Sequence, residues 1–258
     1  MSTSPSTSPT PDFSATALDR LERLIGTGGV RRLLRTHAMV VGLGGVGSWA
    51  VEALARSGVG TLTIVDHDCA CVTNINRQLP ATHETIGQFK TAVMAQRILQ
   101  INPHCIVNQM ARRFDAASAD EIMHARPHVV IDAIDSVAEK ALLLWHCREA
   151  QIPVISSCGA GGRRDPAHIR MADLAEVKGD ALARAVRQAL RRTHGITAQG
   201  GALGIQAVYS TEPVCLPVPA LPDAPARAPG SMKPGTLCHV TGVFGFFCAA
   251  AALEQLLA

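Results

Sequence analysis

Four glycines in Gly42-Leu43-Gly44-Gly45-Val46-Gly47 sit between an apolar run, His37 to Val41, and a helical pattern from Ser48 to Ser57. Glycine permits a tight turn and lets backbone N–H groups approach a phosphate closely. A helix N-terminus just beyond adds free N–H donors and the positive end of a dipole. Asp66 comes nineteen residues after Gly47, at the end of a second β-branched run, Thr61 to Val65. A carboxylate there can accept hydrogen bonds from ribose hydroxyls. This strand–turn–helix–strand order points to nucleotide binding without saying which nucleotide.

The residues downstream narrow the choice. After Asp66-His67-Asp68 come Asn74-Ile75-Asn76-Arg77-Gln78 and Gly87-Gln88-Phe89-Lys90. A dinucleotide site neutralises its pyrophosphate with backbone N–H groups and needs no further pair of cations. Arg77 and Lys90 suit a triphosphate, on which attack at phosphorus develops charge at the oxygens. Asp135 follows the apolar run His128 to Ala133, at the carboxyl edge of a sheet, and is a candidate carboxylate ligand for Mg²⁺. Each of the three alone also suits a solvent-facing loop. Their convergence on one sheet edge is what argues for a site.

Such residues need a scaffold, and the patterning supplies one. Ala15 to Arg35 is helix-like but broken at Gly26-Thr27-Gly28-Gly29. Strand, helix and strand follow over residues 37–66. Lys90 to Ile101 is amphipathic, and Asn102-Pro103 stops it. Residues 128–133 read as a strand, 136–150 as a helix and 153–156 as another strand, so the chain up to about residue 160 predicts a doubly wound parallel sheet. Residues 180–193 predict a basic helix, and Ile205 to Ser210 alternates as a strand would. Seven prolines between Pro213 and Pro234 exclude a helix or strand interior there and predict a long loop. Val240 to Leu253 is almost wholly apolar but shorter than the roughly 20 residues a bilayer span needs, which favours a buried terminal helix. The expected layout is a disordered, Ser/Thr/Pro-rich lead-in over 1–13 and one domain over 14–258. That domain divides into a nucleotide-binding half to 160 and a second half, 161–258, that includes the loop at 213–234.

Composition bounds the alternatives. With 258 residues, 47% hydrophobic and 17% charged, the chain has material for a large core. A net charge of +3 excludes an all-over basic nucleic-acid binder, but the charge is uneven: residues 151–200 net +4 and the rest −1. Arg184, Arg187 and Arg191 recur at helical spacing and, with Arg163 and Arg164, could track phosphates. A solvated helix face reads the same way. Eight cysteines include no C-x-x-C pair, so structural zinc is not expected, and Cys69 and Cys71 read as ordinary half-buried thiols. Trp49 and Trp145 read as core. The N-terminus lacks a basic segment followed by an apolar one, so reduced thiols and a cytoplasmic location are expected.

Gly42-x-Gly44-Gly45-x-Gly47-Ser48, Asp66-x-Asp68, Asn74-x-x-Arg77-Gln78, Gly87-Gln88-x-Lys90 and Asp132-x-x-Asp135 together resemble the adenylating domain of the E1-like superfamily, the HesA, MoeB and ThiF proteins, over about residues 20–160. The resemblance implies a Rossmann-like sheet with antiparallel additions in its second half. It implies ATP and Mg²⁺, with Arg77 and Lys90 on phosphates, Asp66 on the ribose and Asp135 on the metal. Gly42, Gly44, Gly45, Gly47, Asp68, Asn74 and Gln78 complete the nucleotide site by the same resemblance. It also implies a homodimer, across which Arg23 in Arg23-Leu24-Ile25-Gly26 would reach the partner's ATP. Cys158 to Pro166, Ala172-Asp173-Leu174, Tyr209 to Pro213 and Thr241 to Gly245 resemble one branch, the tRNA threonylcarbamoyladenosine dehydratases. In that branch a substrate carboxylate attacks the α-phosphorus of ATP, pyrophosphate leaves, and an atom of the same modification then closes a ring on the activated carbonyl and expels AMP. The implied partner is tRNA and not DNA, with a docking sulfur-transfer protein left open. The alternative is an adenylyltransferase acting on the C-terminus of a ubiquitin-like sulfur carrier. Such enzymes normally carry paired C-x-x-C zinc ligands that this chain lacks.

Overall fold

A computed structural model describes residues 17–215 and 234–258. The expected lead-in and most of the proline-rich loop therefore lie outside the described residues. Helix α1 (Asp19–Leu33) leads into β1 (His37–Val41), α2 (Gly47–Arg56), β2 (Thr61–Val65), α3 (Lys90–Ile101) and β3 (Ile106–Met110). Then come α4 (Ala119–Met123), β4 (Val129–Asp132), α5 (Val137–Glu149), β5 (Val154–Ser157), β6 (Ile169–Asp173), α6 (Ala181–His194), β7 (Gln206–Ser210) and α7 (Cys238–Leu257).

The strands form one sheet in the order β3-β2-β1-β4-β5-β7-β6, parallel throughout except for β6, which runs antiparallel to β7. This is the doubly wound α/β sheet the sequence predicts, with its antiparallel addition in the second half. Side chains alternate across it. Ala38 and Val40 face one core with α2, α3 and α7, while Met39 and Val41 face a second core with α4, α5 and α6. A sheet covered on both faces buries its strands on both sides, and β1, β2, β4 and β5 are buried almost throughout. Val41 is level with Val65 and with Asp132, so β1, β2 and β4 end together, and their following loops leave the sheet at one edge.

Three elements escaped the sequence reading, two edge strands for want of burial and one helix for want of length. β3 (Ile-Val-Asn-Gln-Met) is an edge strand that is exposed or half-exposed along its length. β6 is the opposite edge and exposes Arg170 and Met171. α4 spans only five residues. The glycine break in the first helix appears as a kink at Gly26 (φ 72°). The terminal apolar run extends to twenty residues, with a mean hydropathy of 1.6 and 56% of its apolar window buried inside the fold. That helix packs on α2, β4 and β5. The approach is close: a Cβ on Gly245 would lie 2.5 Å from the Val46 carbonyl oxygen. Trp49 and Trp145, expected in the core, are only partly buried, and Cys69 and Cys71 are exposed rather than half-buried.

Candidate active site

A cavity of about 970 Å³ opens at the carboxyl ends of β1, β2, β4 and β5, where the strand order reverses between β1 and β4. Its floor is the glycine turn. Gly42 has φ +93°, and a Cβ on Gly47 would stand 1.8 Å from the Gly42 carbonyl oxygen, so no other residue fits there. The Ser48 hydroxyl donates to the Gly44 carbonyl at 2.6 Å. Asp66 holds the turn from the next strand, accepting the Leu43 N–H at 2.6 Å and the Asp68 N–H at 2.8 Å.

Lys90, the first residue of α3, is 3% exposed, and its ammonium donates to Asp68 Oδ2 at 2.8 Å and lies 3.9 Å from Asp66 Oδ1. Burial alone would raise the Asp68 carboxyl pKa. The hydrogen bond and charge of Lys90 outweigh it and hold Asp68 below its ordinary value. Arg77 lines the cavity with its guanidinium turned to the Thr73 carbonyl and to Asn76 Oδ1, both at 2.9 Å. Gln78 lines it too, and its buried Oε1 has no hydrogen-bond partner. A buried acceptor left unmet is costly, and a bound donor at this spot would relieve it.

The wall from β4 and β5 rests on a buried ion pair. Lys140 of α5, 2% exposed, reaches Asp132 Oδ2 at 2.8 Å and donates to the Ile134 carbonyl at 3.1 Å. Asp132 also accepts from the Ser156 hydroxyl at 2.8 Å and the Ile134 N–H at 3.1 Å. This network fixes the loop that carries Asp135, which is exposed at the cavity lip.

The second half of the chain closes the cavity. Cys158, Gly159, Gly161, Arg163 and Asp180 line it, as does Thr241 of α7. Burial foremost, with the Asp180 charge beside it, pushes the Cys158 thiol up to about 12, so it is protonated at neutral pH.

The structure thus gathers Gly42, Gly44, Gly45, Asp66, Asp68, Arg77, Gln78, Lys90 and Asp135 around one space, with Gly47 beneath it. Asn74 does not line that space. Its Oδ1 caps the short 3₁₀ turn after β2 by accepting the Cys71 N–H at 3.1 Å. Arg23 is also elsewhere: it is exposed on α1 and paired with Asp19 at 2.8 Å. Of the five arginines read as one basic face, Arg163 is buried in the cavity wall. The Arg187 guanidinium is spent on the Leu174 and Val177 carbonyls at 2.9 Å. Arg164, Arg184 and Arg191 remain exposed.

Sequence reasoning missed Lys140, although a lysine three, four and seven residues before Leu143, Leu144 and Cys147 lies on the apolar face of its helix. It also missed Arg112 and Arg113, which enter the cavity wall just past β3 and pair with Glu121 and Glu139. Their signal was hidden with that strand. Among the described residues, Asp66, His67 and Asp68 have ligand atoms close enough to share a cation, but the Lys90 ammonium already offsets one of the two carboxylate charges and would repel a cation.

The ThiF family model matches residues 18–257. The chain is 40% identical over 245 residues to the tRNA threonylcarbamoyladenosine dehydratase of Escherichia coli, covering 92% of this chain and 91% of that protein. A crystal structure of the Escherichia coli dehydratase in complex with ATP superposes with a TM-score of 0.86 at 39% identity, covering 95% of both chains. The sulfur carrier protein ThiS adenylyltransferase of Escherichia coli is 33% identical over 141 residues, 54% of this chain.

Proposed function

The chain belongs to the ThiF family, and from that premise we propose that it is an ATP-dependent enzyme that dehydrates threonylcarbamoyladenosine beside the tRNA anticodon. The observation that carries the reading is convergence. The glycine turn, Asp66, Arg77 and Lys90 of the first half line one cavity with Cys158 to Gly161, Arg163 and Thr241 of the second half, whose segments resemble the dehydratases. The dehydratase relative matches 92% of the chain, while the ThiS adenylyltransferase matches 54%.

In this reading the glycine turn and the N-terminus of α2 cradle phosphates, Lys90 and Arg77 neutralise them, and Asp66 takes the ribose. Asp135, exposed at the cavity lip, would hold Mg²⁺, which would supply charge neutralisation at the phosphates. The substrate carboxylate attacks the α-phosphorus, and the P–O bond to pyrophosphate breaks. A nucleophile of the same modification then closes on the activated carbonyl, and AMP leaves with the oxygen that the carboxylate lost. Ring closure within one held substrate exploits proximity and needs no enzyme thiol. That accords with a Cys158 held protonated in the wall. The active form is a homodimer in which Arg23 of each copy completes the other's site. The working compartment is the cytoplasm, and the enzyme needs no zinc.

Pyrophosphate release tests the substrate class. The reading expects release with ATP and tRNA carrying threonylcarbamoyladenosine, and none with a Gly-Gly-ended carrier protein. Release with the carrier alone would favour the carrier adenylyltransferase.

A further inference from the structure

The strongest unexplained group in the cavity is Arg163. The loop after β5 presents it. That loop is held by the Gly162 N–H donating to the Gly235 carbonyl at 2.8 Å and by the Cys215 N–H donating to the Gly162 carbonyl at 2.7 Å. The Arg163 side chain is 2% exposed yet lines the cavity, and its Nε has no partner. The nearest carboxylate, Asp180, stands 3.9 Å from Nη2, beyond hydrogen-bond reach. Asp180 has other work: Oδ1 accepts the Ala183 N–H at 2.8 Å as the N-cap of α6, and Oδ2 accepts the Gly159 N–H at 3.1 Å. Asp180 therefore offsets the charge of Arg163 from a distance without satisfying its donors. A buried guanidinium in that state is costly unless a ligand completes it. Planar paired donors match a carboxylate in particular.

The position identifies the ligand group. The glycine turn, Lys90 and Arg77 gather on the β1–β2 side of the cavity, while Arg163 stands on the β5–α6 side with Ser157, Gly159 and Ala181. The nucleotide phosphates have their cations on the first side. We infer that Arg163 is the substrate-binding residue that grips the carboxylate of the incoming modified nucleoside and holds it for attack on the nucleotide. This rests on the dehydratase reading above. It replaces a role on an outer phosphate-tracking face with one inside the site.

The test measures binding of two anticodon stem-loop RNAs in the presence of a non-hydrolysable ATP analogue. One carries threonylcarbamoyladenosine, and the other carries the same group with a carboxamide in place of the carboxylate. The unaltered protein should bind the carboxylate RNA about 10- to 100-fold more tightly, the value of a charge-assisted pair. Arg163→Gln should bind both RNAs at the weaker level, with ATP affinity and thermal midpoint retained. A preference that survives in Arg163→Gln overturns the inference, and so does a parallel loss of ATP affinity, which would make Arg163 a nucleotide ligand. If Arg163→Gln does not fold, Arg163→Lys decides, because it keeps the charge and loses the planar fork. A preference cut severalfold supports the inference, and an unchanged one overturns it. Absence of any preference in the unaltered protein, together with absence of turnover, would instead remove the dehydratase reading itself.

Discussion

Glu52 of α2 clasps Arg97 of α3 through hydrogen bonds of 2.6 and 3.0 Å, and the same carboxylate accepts from Arg56 at 2.8 Å. The clasp ties together the two helices whose first residues are Gly47 and Lys90. It therefore sets the spacing between the glycine turn and the buried lysine. Burial would raise the Glu52 carboxyl pKa, but Arg97 and Arg56 outweigh it and hold it below 4.5. A carboxyl held below its unfolded value adds stability that is fully present above that value and lost as pH falls through the lower folded one. Glu52→Gln should destabilise by about 1–2 kcal/mol at pH 7, since both arginines stay solvated. The gap should hold down to pH 4.5 and narrow below it. Urea melts across that range check both the size and the sign.

The Lys140–Asp132 pair should behave in the opposite way to a surface bridge. Both side chains are at most 2% exposed, so Lys140→Met leaves an uncompensated buried carboxylate and should cost about 3–5 kcal/mol. Lys140→Met with Asp132→Asn should recover a large part of that loss. Equilibrium denaturation of the single and double variants measures the coupling, and equal losses in the two would contradict it.

The site was legible in the sequence wherever its chemistry is local. The glycine turn, Asp66, Arg77 and Lys90 stand out because a turn, a strand end and a helix start have their own residue signatures. Lys140 went unread although it lies on the apolar face of its helix, and Arg163 was read as part of an outer basic face, because its own loop sequence does not distinguish a buried cation from a solvated one. Only the packing of α5 against β4, and of the β5 loop against the segment at Gly235, takes them out of water. The edge strands β3 and β6 were hidden for the converse reason. With little to bury, they carry no apolar alternation.

The basic face on α6 is narrower than its spacing suggests. Arg184 and Arg191 are exposed, whereas Arg187 binds backbone carbonyls of the preceding loop. Arg184→Gln with Arg191→Gln should weaken tRNA binding and lower its salt slope by about 1–2, while ATP binding survives. Arg187→Gln should instead lower the thermal midpoint. Binding titrations over a range of salt concentrations separate the two, and an unchanged slope in the double variant would remove this face from the tRNA path.

Arg23 stands outside the cavity of its own chain, so the proposed role for it requires a second copy. Arg23→Ala and Lys90→Ala should each be nearly inactive alone. Mixed after co-refolding, they should regain about a quarter of full activity, because half the dimers carry one intact composite site. No recovery on mixing would mean that both residues act from one and the same chain, or that Arg23 lies outside the site.

The central claim is that one cavity couples ATP cleavage to loss of water from a tRNA nucleoside. Mass spectrometry of the nucleosides from purified tRNA, after incubation with this protein and ATP, tests it most directly. The account predicts that threonylcarbamoyladenosine is replaced by a product lighter by one water, only when ATP is present and not with the Lys90→Ala variant. An unchanged threonylcarbamoyladenosine peak under conditions where the protein binds both ATP and tRNA would contradict it.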